Sequence, residues 1–176
     1  MRRRRPWLHD VPLPRLAPGS WRRLWLSLPL ALSLAGATAR ANPYYVGEVP
    51  KLISARDAGK LRALGINMTD DLLRRATTAQ DRKALAKSSG LRAARVEQLA
   101  RCADLLRLEN IGPECVILLE ATGVRSIPDL ATRDPAVLAK KAATLNRTRR
   151  IANPAPTEPQ MRDWITQSRK MPPVLQ

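Results

Sequence analysis

A stretch of twenty residues occurs twice in this chain, and that repetition limits the possible folds more than any other feature. Residues 53–72 (ISARDAGKLRALGINMTDDL) align without gaps on residues 111–130 (IGPECVILLEATGVRSIPDL), a shift of 58 that keeps Ile, Leu, Ala, Gly, Asp and Leu in register. Each copy reads as a tight turn, an amphipathic helix stopped by Gly65 or Gly123, a β-branched residue (Ile66, Val124) and a short second helix. Glycine stops a helix well because it enters the left-handed region without steric cost. The unit is therefore a helical hairpin used twice, and a repeat at this period predicts an all-α fold of stacked helices.

The first 41 residues are set apart by composition and read as a targeting leader. They hold eight arginines and one acid, with an apolar run over residues 24–37 and then Ala39-Arg40-Ala41. Small residues at Ala39 and Ala41 fit a signal peptidase, which would leave Asn42 as the new N-terminus. The apolar run contains Pro29 and is shorter than the ~20 residues a spanning helix needs. The expectation is an exported protein, periplasmic or extracellular, with no stable membrane span after cleavage; if the leader is not a signal, the chain stays in the cytoplasm. Arg22-Arg23 leaves both the general secretory and the twin-arginine routes open.

The leader also contains the only histidine, His9, and three of the four tryptophans, and the chain has no phenylalanine. The segment from Asn42 onward therefore lacks an imidazole for a general base, a triad or a metal site. Its acids read as structural: Asp70 and Asp71 begin a helix, and Glu109 and Glu114 flank a turn. The expectation is a non-enzymatic protein without cofactor or metal. Tyr44, Tyr45 and Trp164 are too few to stack single-stranded nucleic acid. The whole chain has 31 basic and 15 acidic residues. Such an excess permits attraction to polyanions without choosing among them.

Capping residues mark the helix starts. Ser54 with Asp57 opens a helix predicted over residues 55–64, and Thr69 is placed as the cap of a short helix through Arg75. Thr78 with Asp81 opens a helix to Gly90, and residues 93–108 form the longest candidate, with Val96, Leu99, Ala100, Ala103 and Leu106 on one stripe. Pro113 suits the first turn of the next helix, which directs Cys115, Val116, Leu118 and Leu119 inward. Ser126 caps again, and Asp134-Pro135 starts a helix through about Leu145. Residues 42–152 thus form the repeat domain. Residues 153–176 form a proline-rich connector and a final helix, 160–170, that packs back through Met161, Trp164, Ile165 and Ser168. Cys102 and Cys115 flank the turn between two helices; they can form a disulfide in an oxidising compartment or remain two small buried thiols.

A helix-hairpin-helix element bends at a Gly-apolar-Gly turn, where bare amides can approach a phosphate. The second copy supplies Leu105, Leu108, Asn110-Ile111-Gly112, Val116 and Leu119, with Asn110 standing where the first glycine belongs. Asn tolerates a left-handed backbone. The first copy has Leu52-Ile53-Ser54 in place of both glycines, so its hairpin is expected to be structural. Residues 49–172, through ISARDAGKLRALGI, DLLRRATTAQDRKALAKSSGL, ADLLRLENIGPECVILLEATGV, IPDLATRDPAVL and MRDWITQSRKMP, resemble a bacterial family of helix-hairpin-helix repeats catalogued as domain of unknown function four-three-three-two. The resemblance implies the fold and assigns no activity; its distant relatives grip duplex DNA by the backbone.

Two functions stand as expectations. The first is a protein-interaction or structural module whose partner the sequence does not identify. The alternative is sequence-nonspecific binding of the duplex DNA backbone by the second hairpin. For that alternative the backbone amides would come from the turn Asn110, Ile111, Gly112 and Pro113, with basic contacts from Arg56, Lys60 and Arg107. Glu109 and Glu114 oppose it, since carboxylates beside a phosphate repel it.

Overall fold

The structure is a computed structural model that describes residues 43–176. The leader, with its cleavage residues Ala39, Ala41 and Asn42, lies outside the described residues. Eight helices occur in order among the described residues: α1 (Ala55–Arg62), α2 (Thr69–Arg74), α3 (Ala79–Ser89), α4 (Ala93–Leu105), α5 (Pro113–Thr122), α6 (Ile127–Ala131), α7 (Pro135–Arg149) and α8 (Glu158–Lys170). The described residues contain no strand, only one isolated antiparallel bridge between Tyr45 and Met68.

The caps work as the sequence predicts at four of these starts. Ser54, Thr78, Ser126 and Asp134 each accept from the amide three residues on. Thr69 does not cap α2. Met68 occupies that position, and Asp71 Oδ2 accepts from the amides of Met68 (3.0 Å) and Asn67 (3.2 Å). The Thr69 hydroxyl instead accepts from the Tyr44 amide at 3.1 Å, while the Thr69 amide donates to the Tyr44 carbonyl at 2.9 Å. A hydroxyl one residue inside the helix thus ties down the lead-in segment.

Two helix ends differ from expectation for identifiable reasons. α4 stops at Leu105 rather than Leu108, because Arg107 N bonds Asp104 O (3.2 Å) and Leu108 N bonds Leu105 O (3.1 Å), a tightened turn that redirects the chain. α7 continues to Arg149; Arg150 takes the left-handed position (φ 47°) that glycine usually fills, and the chain beyond it is held by the Asn146 side chain. Its Oδ1 accepts from the amides of Ile151 and Ala152, each at 2.9 Å, and Nδ2 donates to Ala152 O at 2.8 Å. α1 ends at Arg62, two residues short of expectation, and α8 begins at Glu158 rather than Gln160, where Gln160 Oε1 accepts from the Thr157 amide (2.8 Å) and hydroxyl (2.9 Å).

α4 is the centre of one group of helices, packed against α2, α3 and α5; α8 lies on α6 and α7, and α5 joins the two groups by touching both α4 and α7. One apolar core runs through both. The predicted α4 stripe is buried throughout, as are Met161, Trp164, Ile165 and Ser168 of α8. Val116, Leu118 and Leu119 face inward as expected, while Cys115 is only partly buried.

Candidate functional site

The turn between α4 and α5 is held on three sides. Asn110 takes the left-handed conformation (φ 59°) that its side chain tolerates, Ile111 is 1% exposed, and Pro113 begins α5. The Tyr44 hydroxyl donates to the Ile111 carbonyl at 3.4 Å. From α8, Gln167 Oε1 accepts from the Glu109 amide at 2.7 Å. Gly112 has φ −97° and ψ 163°, an extended conformation open to any residue, so the left-handed strain belongs to Asn110 alone. A Cβ at Gly112 would first meet Glu114 Oε2, at 3.8 Å, an ordinary contact.

Arg107 and Glu114, the charged side chains on either side of this turn, each have a partner within the fold. Arg107, expected as a basic contact, is buried: Nη1 lies 2.7 Å from Asp104 Oδ1, and both terminal nitrogens reach the Pro172 carbonyl at 3.3 Å. Its guanidinium ties α4 to the segment after α8. Burial pushes the Asp104 carboxyl upward, and the hydrogen bond and charge of Arg107 oppose that rise without cancelling it. Glu114 stands in the first turn of α5, 4.0 Å from Lys51 Nζ, and repels an anion approaching the Gly112 end.

Cys102 and Cys115 are both free thiols. Cys102 is buried, and burial together with Glu120 pushes its thiol up to about 12. Glu120 is itself held by Gln98 Nε2 at 2.7 Å. Burial also raises the Cys115 thiol. The structure therefore keeps the two cysteines as small packing groups, of which Cys115 is the more accessible.

Arg56 and Lys60 come together in a place the sequence does not announce. They line a cleft of about 360 Å³ between α1 and the α3–α4 turn, together with Asp57, Gly90, Arg92 and Arg95. The α3–α4 turn has its own left-handed residue, Gly90 (φ 62°), with buried Leu91 next and then Arg92 at the extended position before α4. Gly90-Leu91-Arg92, Val96 and Leu99 are spaced as Asn110-Ile111-Gly112, Val116 and Leu119 are, at a shift of 20. That spacing is a detectable signal in the sequence. It is masked because the 58-residue alignment draws attention to another pair, and because Arg92 replaces the second glycine.

Among the described residues no helix is long and apolar enough to cross a membrane, and no group of three or more His, Cys, Asp or Glu side chains could hold a metal ion. The architecture defines a small all-α module whose distinctive parts are its turns. A family model described as Domain of unknown function (DUF4332) matches residues 51–171, and the chain belongs to that family. The match begins just before α1 and ends just after α8. No curated protein and no solved structure matches the chain.

Proposed function

We propose that this chain is a non-enzymatic module of tandem helix-hairpin-helix repeats that docks a protein partner in the compartment its leader reaches. The repeat reading is supported by paired geometry at the 58-residue shift. Gly65 and Gly123 are both left-handed (φ 75° and 99°), and the next amide donates back to Leu61 O or Leu119 O, 3.1 Å in each case. Asp71 and Asp129 each accept from the amide four residues before, Asn67 N at 3.2 Å and Arg125 N at 2.7 Å.

The observation that carries the docking reading is α7. Lys140, Lys141, Arg147 and Arg149 all lie on this helix, are exposed, and have no acidic residue among them; Val137 beside them is 66% exposed. The nearest acid, Asp134, is used as the helix cap. Lys141 and Arg147 bond only neutral oxygens, Thr122 O at 2.6 Å and Thr144 Oγ1 at 3.2 Å. Exposed, uncompensated cations along a helix that also presents an apolar side chain suit an acidic protein surface, because charge complementarity speeds encounter and fixes register. A photo-crosslinker at Val137 in the native cell tests this. One dominant adduct, lost in Lys140→Glu/Arg147→Glu, is expected; an adduct pattern unchanged by the charge reversal would refute it.

The second reading, duplex backbone binding, gains nothing from the Asn110 turn, where Arg107 is internal and Glu114 repels. A phosphate contact, if this chain makes one, has its best chemistry in the α1–α4 cleft.

A further inference from the structure

Four cations, Arg56, Lys60, Arg92 and Arg95, line the cleft between α1 and the α3–α4 turn, against one carboxylate, Asp57. Their hydrogen bonds divide them into two kinds. Arg95 is engaged at each of its three nitrogens: Nε lies 2.9 Å from Asp57 Oδ2, Nη1 2.7 Å from Gln98 Oε1, and Nη2 2.7 Å from Leu52 O. It neutralises Asp57 and fixes the wall of the cleft. Lys60 Nζ donates to the Gly90 carbonyl at 2.6 Å, a neutral acceptor that leaves its charge uncancelled and two N–H donors available. Arg56 and Arg92 are exposed, and no carboxylate among the described residues pairs with either. After the Arg95–Asp57 pair is set aside, three positive charges face one opening.

We propose that this cleft is a binding site for a phosphate group. Two guanidinium forks and an ammonium present more donors than a planar carboxylate can accept, whereas a tetrahedral phosphate offers three or more oxygens in different directions. Lys60 acts as a point charge, placed by its bond to Gly90. The charge also separates this turn from its counterpart. The Asn110 turn has similar backbone geometry with Glu114 beside it, and the Gly90 turn has Arg92 and Arg56. This assignment is independent of what α7 docks.

The 176-residue chain titrated with inorganic phosphate, and separately with a short duplex DNA, tests the site, with the backbone amide resonances of Gly90, Leu91 and Arg92 as the readout. Saturable shifts at these amides with phosphate are expected. Arg56→Glu and Arg92→Glu should each weaken binding at least about tenfold, and Lys170→Glu on α8, an equal change in net charge, less than about twofold. If duplex affinity follows the same order, the phosphate is a backbone phosphodiester. If Arg92→Glu leaves duplex binding unchanged while abolishing the phosphate shifts, the ligand is free phosphate or a phosphate monoester. Absence of saturable shifts in the wild-type chain, or equal weakening by Lys170→Glu, would overturn the proposal. The wild-type titration decides the matter even if a variant fails to fold.

Discussion

Ile111 and its two neighbours carry different parts of the α4–α5 turn, and substitution should separate them. Ile111 is 1% exposed between its helices, so Ile111→Ala should cost about 2 to 5 kcal/mol in denaturant unfolding. Asn110→Ala places a Cβ residue at φ 59° without the local side-chain compensation, and should cost about 1 to 2 kcal/mol. Gly112→Ala should be close to neutral, because its backbone is extended and the space beside it is open. If Gly112→Ala proved the most damaging of the three, this division of roles would be wrong. Burial also sets a difference in reactivity between the two thiols. With its thiol pushed up to about 12, Cys102 should resist alkylation at pH 8 in the native protein while Cys115 reacts first, and both should react once the chain is unfolded.

At the scale of elements, caps and buried ends set the response to acid and to truncation of the core. The hydroxyl and amide of Thr78 hold the Asp81 carboxyl below its usual value of 3.8. Burial raises Asp129, but its bonds to Arg133 and to the Arg125 amide outweigh that and bring it below 3.8. For both, the folded state binds protons less readily than the unfolded state. Their stabilisation is therefore full above that value and is lost as pH falls through the depressed folded values. Asp104 has the opposite sign, since its raised carboxyl favours the folded state when protonated and loses that advantage as pH rises through the folded value. Thermal melts from pH 6 down to pH 2.5 should show falling stability below about pH 4, with a shallower fall in Asp129→Asn. An unchanged slope in that variant would remove Asp129 from the explanation. On α8, Trp164 is 1% exposed and lies in the core that this helix shares with α6 and α7. Trp164→Ala should cost about 3 to 5 kcal/mol and, in the chain beginning at Asn42, where Trp164 is the one tryptophan, remove most of the near-ultraviolet dichroism of the folded state.

For the whole molecule, processing is the prediction with the widest consequence. Protein recovered from its native cell should begin at Asn42 and lie outside the cytoplasm; intact chain beginning at Met1 in the cytoplasm would remove the export reading and favour a nucleic-acid ligand for the cleft. Local rules carried much of the architecture. Helix class, four of the caps, the left-handed glycines at 65, 90 and 123, and the buried stripes of α4 and α8 depend on neighbours within one or two turns, which a sequence displays directly. Long-range partners were not legible. Thr69 became an anchor for Tyr44, 25 residues away; Arg107 turned inward to Pro172, 65 residues away; and Arg56 and Lys60 acquired Arg92 and Gly90 from across the chain. Spacing along a helix fixes which side chains share a face, but only packing fixes which faces meet. The sequence by itself thus determined the helices and their glycine stops, while tertiary structure alone decided which cations are spent inside the fold and which stay exposed, because burial and pairing are properties of the assembled core.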